Sequence, residues 1–532
     1  MKKHKLWILV ALIILIGVGV FLAKPYFTQE VLEEVTMLES DNEEYYVPSF
    51  NEVDFPFTHE GGEYFLGSAL IDIDGDGVDE VFLGGAEGQS DALMKFDGEN
   101  FVDITQGTGL SNNSAGFGAI SVDADQDGDV DLFVARSEEI YFYTNEGGVF
   151  TEEIIEVDYE SNARPFSLAS TDVNRDGFVD LYVSTFKNPA VFRTGTFNDP
   201  SNLSANIMLM NNGDNTFRDA TEEMGLSFSQ NTFLSSFVDL NGDLNEDLVI
   251  ATNTDLIQIF KNNGDETFTE ISLPSGYGFW MGLAIGDVDS DGDADLFFSN
   301  TGSTIPLATA RGDLNADQSF DPEWSLLINE GNFEFSQGNA DYGLTGYEFG
   351  WGSVFADLNL NGNPELLVMQ SYIKWPAHKL SKLPGRLLTQ DESGLYQAVT
   401  SLAGVENYYY GIAPLVSDFN KDGQLDLLYV NLAGPSRAFL NDGGENHYLA
   451  VELPDDVSTL GARLTLEKQD GRLLVKRVFS SHGLLSDQSS DVIFGLGNDL
   501  QVSSLTIEWV SGDTEVYEDL EVDTWIKISA LR

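Results

Sequence analysis

The chain of 532 residues contains no cysteine. Disulfide staples, thiolate metal sites and a cysteine nucleophile are therefore excluded. Histidine is scarce as well. His4, His59, His378, His447 and His482 are scattered, which argues against a histidine-rich zinc or haem centre. Basic residues are few: 26 Lys plus Arg stand against 88 Asp plus Glu, for a net charge of −62. A surface this acidic repels phosphate backbones and anionic lipid, so no nucleic-acid partner is expected. What is present suffices for a large core, with 42% hydrophobic and 12% aromatic residues. The carboxylate excess points to cation binding, a salty habitat, or both.

Residues 1–28 read as addressing information. Lys2, Lys3, His4 and Lys5 precede an apolar run from Leu6 to Ala23, and Lys24-Pro25 follow it. At ~1.5 Å per residue such a run spans roughly 27 Å, close to a bilayer core. The segment is expected to be a transmembrane signal anchor or, if cleaved, a signal peptide. The basic head favours an N-terminus inside, placing the rest in the cell envelope, or secreted or periplasmic after cleavage. Residues 29–45 form an acidic linker.

A nine-residue pattern, D-x-[DN]-x-[DN]-G-x-x-[DE], recurs seven times between residues 72 and 426. The first copy offers Asp72, Asp74, Asp76, the carbonyl of Val78, and Glu80. The second offers Asp123, Asp125, Asp127, Asp129 and Asp131, and the third Asp172, Asn174, Asp176, Phe178 and Asp180. The fourth has Asp239, Asn241, Asp243, Asn245 and Asp247, with Leu244 in place of the glycine. Asp287, Asp289, Asp291, Asp293 and Asp295 make the fifth, and Asp357, Asn359, Asn361, Asn363 and Glu365 the sixth. The seventh is Asp418, Asn420, Asp422, Gln424 and Asp426. Side-chain oxygens at positions 1, 3, 5 and 9, with the carbonyl at 7, make an all-oxygen shell that suits calcium. An EF-hand needs an acidic ligand at position 12, where these copies carry Leu83, Val134, Val183, Ile250, Phe298, Val368 and Tyr429. The helix-loop-helix reading fails on that count. The competing reading is that the Asp and Asn residues only build turns. About four to seven calcium ions are expected, with the sixth loop, which has two carboxylates, the weakest.

Each motif sits between two short apolar runs, which predicts a loop joining two buried strands. A second hairpin follows in several copies, as at Asn211-Asn212-Gly213-Asp214 and Asn262-Asn263-Gly264-Asp265. Four strands per repeat predict an all-β protein with a seven-bladed β-propeller over residues 46–445. Ser49 to Val53 is expected to supply the last blade's missing outer strand. Residues 446–532 alternate strongly and predict a small antiparallel β-sandwich.

The repeats resemble the FG-GAP/VCBS repeats of integrin α-subunit propellers. After Asn446 the sequence resembles the ASPIC/UnbV domain, through Asn446 to Val451, Gly461 to Thr465, Ser486-Asp487-Gln488, Phe494 to Gly497 and Trp509-x-Ser511-Gly512. Together the two regions look like the cartilage acidic protein family. That resemblance implies a calcium-binding propeller outside the cell, and no established reaction. The expected function is a non-catalytic interaction or adhesion module for a protein or glycan; the alternative is an extracytoplasmic polysaccharide hydrolase or lyase. Arg311-Gly312-Asp313 is read as a polar-loop tripeptide in an insertion between blades five and six. Asp313, Asn315, Asp317 and Asp321 are read as a solvated loop that matches the ligand spacing without its glycine.

Overall fold

The computed structural model describes residues 47–529, apart from 62–64, 189–190, 192–194, 303–306, 372–381 and 433. The expected N-terminal helix and acidic linker lie outside the described residues. Among those described, no helix is long and apolar enough to cross a membrane.

The chain is all-β. Seven antiparallel sheets of four strands follow one another from residue 50 to residue 441, two of them extended by a short fifth strand. Sheet one comprises Ser68–Ile71, Glu80–Leu83, Ala92–Phe96 and Phe101–Asp103, paired in that order. The inner strands of sheets two to seven are Gly116–Val122, Ala163–Thr171, Asn231–Val238, Leu283–Gly286, Ser353–Ala356 and Gly411–Ser417. These inner strands are almost wholly buried, because each sheet is covered on both faces by its neighbours. This is why they read as continuous apolar runs rather than alternating ones. Outer strands alternate or face solvent, as Phe150–Ile155 does.

The space between adjacent sheets is filled pairwise. Ile71 and Phe82 of sheet one meet Leu132 and Tyr143 of sheet two. Tyr182 and Met208 of sheet three meet Phe237 and Leu248 of sheet four. Leu367 of sheet six, Leu415 and Leu428 of sheet seven, and Leu70 and Val81 of sheet one share one cluster, which closes the ring. Each such side chain stabilises the fold by about 1.5–3 kcal/mol when fully buried. Phe50–Val53 pairs with Arg437–Asn441, from Phe50 opposite Asn441 to Val53 opposite Ala438. The N-terminal strand thus completes sheet seven, as its sequence suggested.

Residues beyond Asn446 form two small sheets around Leu449, Leu464, Phe494, Leu505 and Trp509. They are not purely antiparallel. His447–Glu452 pairs with Thr524–Lys527 in parallel. One segment leaves these sheets and enters the ring. Ser486 and Asp487 pair in parallel with Ser68 and Ala69, adding a fifth strand to sheet one. Around it, residues 480–488 bond to all the other inner strands. Asp487 accepts from the Ser121 N–H at 2.8 Å, and Ser480 Oγ from the Ser170 N–H at 2.8 Å. The Ser480 carbonyl accepts from Ser236 Oγ at 2.9 Å, and the Gly483 carbonyl from the N–H groups of Leu283 and Ser353. Gln488 bridges the Pro414 carbonyl and the Val416 N–H, each at 3.0 Å. The ring's centre is therefore occupied by this segment of chain. Phe65, Phe166, Phe233 and Trp351 pack edge to face alongside it. Burial pushes the His482 imidazole down to about 3, which keeps it neutral.

One expectation needs relocating. The Arg311-Gly312-Asp313 insertion lies within sheet five, between Asp295–Phe298 and Ser325–Asn329, because the apolar run after the fifth motif is the second strand and not the blade's end. Asp313 accepts from the N–H groups of Phe197, at 2.6 Å, and Asn198. Arg311 donates to the Asn315 carbonyl at 2.8 Å. Asp313 thus joins the insertions of sheets three and five, while Arg311 braces its own insertion.

Candidate metal centres

The seven motif loops share one hydrogen-bond scheme. The carboxylate at position 1 accepts from the N–H at position 6 in every loop, at 2.6–3.0 Å. The side-chain oxygen at position 5 accepts from the N–H at position 7, at 2.7–3.0 Å. The carboxylate at position 9 accepts from the N–H at position 2, at 2.7–3.1 Å. These bonds curl the chain, and in loops two and five they bring the carboxylates of positions 1, 3 and 5 together. The curl requires positive φ at two positions, 4 and 6, in all seven loops. The sequence pattern showed only the second requirement, because position 4 varies among Gly75, Gln126, Arg175, Gly242, Ser290, Leu360 and Lys421.

Leu244 is the one side chain at position 6, and it adopts φ 65°. A left-handed leucine costs roughly 1–2 kcal/mol. Leu244→Gly is therefore expected to stabilise the protein by about 1 kcal/mol after the added chain entropy is counted. A lowered melting temperature would contradict this.

Three loops bring carboxylates together most closely. Asp123, Asp125 and Asp127 lie with one oxygen each within 4.8 Å of one another, as do Asp287, Asp289 and Asp291, and Asp72, Asp74 and Glu80. Burial, reinforced by the neighbouring carboxylates, pushes Asp123 and Asp287 up to about 6. A hard divalent cation would relieve that repulsion, and an oxygen-only donor set fits calcium. In loops three, four and seven the position-3 amide turns its Nδ2 toward the position-5 carboxylate, as Asn174 does to Asp176 at 2.9 Å. No third carboxylate joins those clusters among the described residues.

Position 9 is occupied differently from positions 1 to 5. Asp131, Asp180, Asp247, Asp295 and Asp426 are fully buried. Their second oxygen accepts from the backbone N–H of Asn145, Asn211, Asn262, Asn329 and Asn441, respectively, at 2.8–2.9 Å. Burial pushes Asp131 and Asp180 up to about 7, and Asp247 and Asp295 up to about 8. The same asparagines donate onward: Asn145 to the Ile73 carbonyl, Asn329 to Leu240 and Asn441 to Leu358, each the position-2 carbonyl of the preceding loop. They stitch one sheet to the last. Sequence reasoning assigned such asparagines to turn geometry alone; their recurrence before Gly in five copies was the available signal.

Loops one and six depart from the scheme. Their ninth residue is Glu80 or Glu365, whose extra methylene reaches a side chain on the third strand instead of a backbone N–H. Glu80 meets Lys95 at 2.6 Å, and Glu365 accepts from Thr389 at 2.8 Å and from the Asn359 amide at 2.6 Å. The C-terminal region closes over loop six: Asn446 donates to the Asn359 carbonyl, and half-buried Lys476 lies beside Asp357 and Glu365. Acids outside the motif's ligand positions cluster elsewhere, beside loop one. Asp79, Asp455 and Asp491 are raised by burial where sheet one, sheet seven and the C-terminal region meet, near Lys421. A cavity of about 180 Å³, lined by Asp287, Asp357, Asp418, Lys476 and Asp491 among others, lies between sheets five, six and seven and the C-terminal region.

Comparison with known proteins agrees with the two-part layout. A family of FG-GAP-like repeats matches residues 72–134, 123–183 and 239–298. The ASPIC and UnbV family matches residues 455–531. Cartilage acidic protein 1 of Homo sapiens is 22% identical over 472 residues, covering 84% of this chain and 60% of that protein. The Mus musculus protein of the same name is 23% identical over 479 residues, covering 84% and 61%. The chain thus spans about three fifths of the length of these curated relatives. Among solved structures, an Agrocybe aegerita lectin with specific recognition of non-reducing terminal N-acetylglucosamine is similar, with a TM-score of 0.37 and 16% identity over 74% of this chain and 94% of that one. YCF48 bound to D1 peptide is similar with a TM-score of 0.41 and 10% identity, covering 77% and 100%. On the sequence matches, the chain carries FG-GAP-like repeats within residues 72–298 and an ASPIC and UnbV domain over residues 455–531, with similarity to cartilage acidic protein 1 over most of its length.

Proposed function

We propose that this protein is an extracytoplasmic seven-bladed β-propeller that binds calcium in its motif loops and serves as a non-catalytic interaction module for a protein or glycan. One observation carries the reading: the same hydrogen-bond scheme curls all seven loops, and in three of them it gathers three carboxylates within 4.8 Å of one another. Turns built only to join strands have no reason to concentrate like charges. Three aspartates within 4.8 Å of one another repel unless a cation sits between them. In this reading the ions stiffen the rim of a ring whose centre is already filled. Metal analysis of the purified protein is expected to find between four and seven calcium ions per chain. One ion or none would overturn the reading.

Location outside the cytoplasm is supported by the basic head and apolar run at residues 2–23. It also supplies the millimolar calcium that weak loops need. Protease added to intact cells is expected to remove the acidic domain, and complete protection with a cytosolic marker would refute this location.

A further inference from the structure

We propose that loop one carries its own cation, and that the Lys95 ammonium takes the place of calcium there. The inference rests on the calcium reading above and concerns which loops that ion enters. Lys95 Nζ lies 3.0 Å from Asp74, 2.9 Å from Asp76 and 2.6 Å from Glu80. Those three residues supply positions 3, 5 and 9 of the loop, so the ammonium sits where their carboxylates converge. The register makes this specific. Met94 pairs with Val81 in sheet one as Tyr143 pairs with Leu132 in sheet two, which places Lys95 at the register of Thr144. Leu248 pairs with Phe260 in sheet four, so Lys261 holds the same register there. Its ammonium lies over the Phe333 ring, 5.6 Å from the centroid, and not in loop four.

The ninth residue explains the difference. Asp247 is short and already accepts from the Asn262 N–H at 2.8 Å. Glu80 is one methylene longer and extends to the lysine. The Glu-for-Asp change and the lysine therefore work as a pair. A single charge on a tether offsets less of the four carboxylates' charge than a divalent ion would, but it needs no ligand in solution and is present at every calcium concentration. Loop one would stay ordered when the other loops empty.

Replacing the lysine should convert loop one into a metal site. Native mass spectrometry of the purified protein in calcium is expected to show one more ion bound to Lys95→Met than to wild type. Lys261→Met, at the same register, should leave the count unchanged. On the unsubstituted protein, acylation of Lys95 should be slow and equally slow in calcium and in chelator. An unchanged count in Lys95→Met while wild type binds calcium, or calcium-induced acylation of Lys95, would overturn this inference and leave the calcium reading standing. Absence of calcium from both proteins would overturn the two together.

Discussion

Removing calcium from the purified protein is expected to lower its melting temperature by on the order of 10 °C. A site held at a hundred times its dissociation constant stabilises the fold by about 2.7 kcal/mol. Five occupied loops would then contribute about 14 kcal/mol, near the top of the ~5–15 kcal/mol stability of an ordinary domain. Unfolding entropy of ~2.1 cal/mol/K per residue makes each degree worth about 1 kcal/mol for a unit this size, which sets the expected shift. The loss should be spread around the ring, because every loop joins an inner strand to the one beside it. Asp123→Asn combined with Asp125→Asn and Asp127→Asn should reproduce one site's share, about 3 °C, in excess calcium. Identical melting curves in chelator and in millimolar calcium would mean that these loops are turns and nothing more.

How much of this was legible in the sequence depends on the length scale of the cause. The motif loops, the hairpins after them and the N-terminal closing strand are set by residues close in sequence or by a repeated pattern, so Asp123 to Asp131 announce themselves. Phe50–Val53 could be placed because it resembles the outer strand it replaces. Lys95 could not: its meaning depends on a cross-strand register between Ala92–Phe96 and Glu80–Leu83 that no local pattern displays. The asparagine stitch was half visible, as a recurring Asn before Gly, but its bonds run to the preceding sheet. The segment at 480–488 was hidden altogether. Ser480, Ser481, His482 and Gly483 look like a polar turn, and only the ring's seven inner strands, up to 420 residues away in sequence, make that turn a core element.

The segment that fills the ring gives the second large expected effect. Leu484 is completely buried in the cluster that joins sheets six, seven and one, although it belongs to the C-terminal region. Truncating such a leucine costs about 2–5 kcal/mol, through lost transfer energy and the cavity left behind. Leu484→Ala should therefore lower the melting temperature of the whole protein by about 2–5 °C in calcium. Leu484→Asp places an unpaired charge at the same point and should lower it much further, or leave the protein insoluble. Leu500, also in the C-terminal region, is 65% exposed, so Leu500→Ala should change stability by less than about 0.5 kcal/mol. The ring and the C-terminal sheets share this buried segment, so they should unfold in one transition that shifts as a unit. Were the C-terminal region an independent domain, Leu484→Ala would instead split the melt, moving one phase and leaving the ring's transition where it was. A split melt, or a Leu484→Ala protein as stable as Leu500→Ala, would show that residues 480–488 do not hold the ring together.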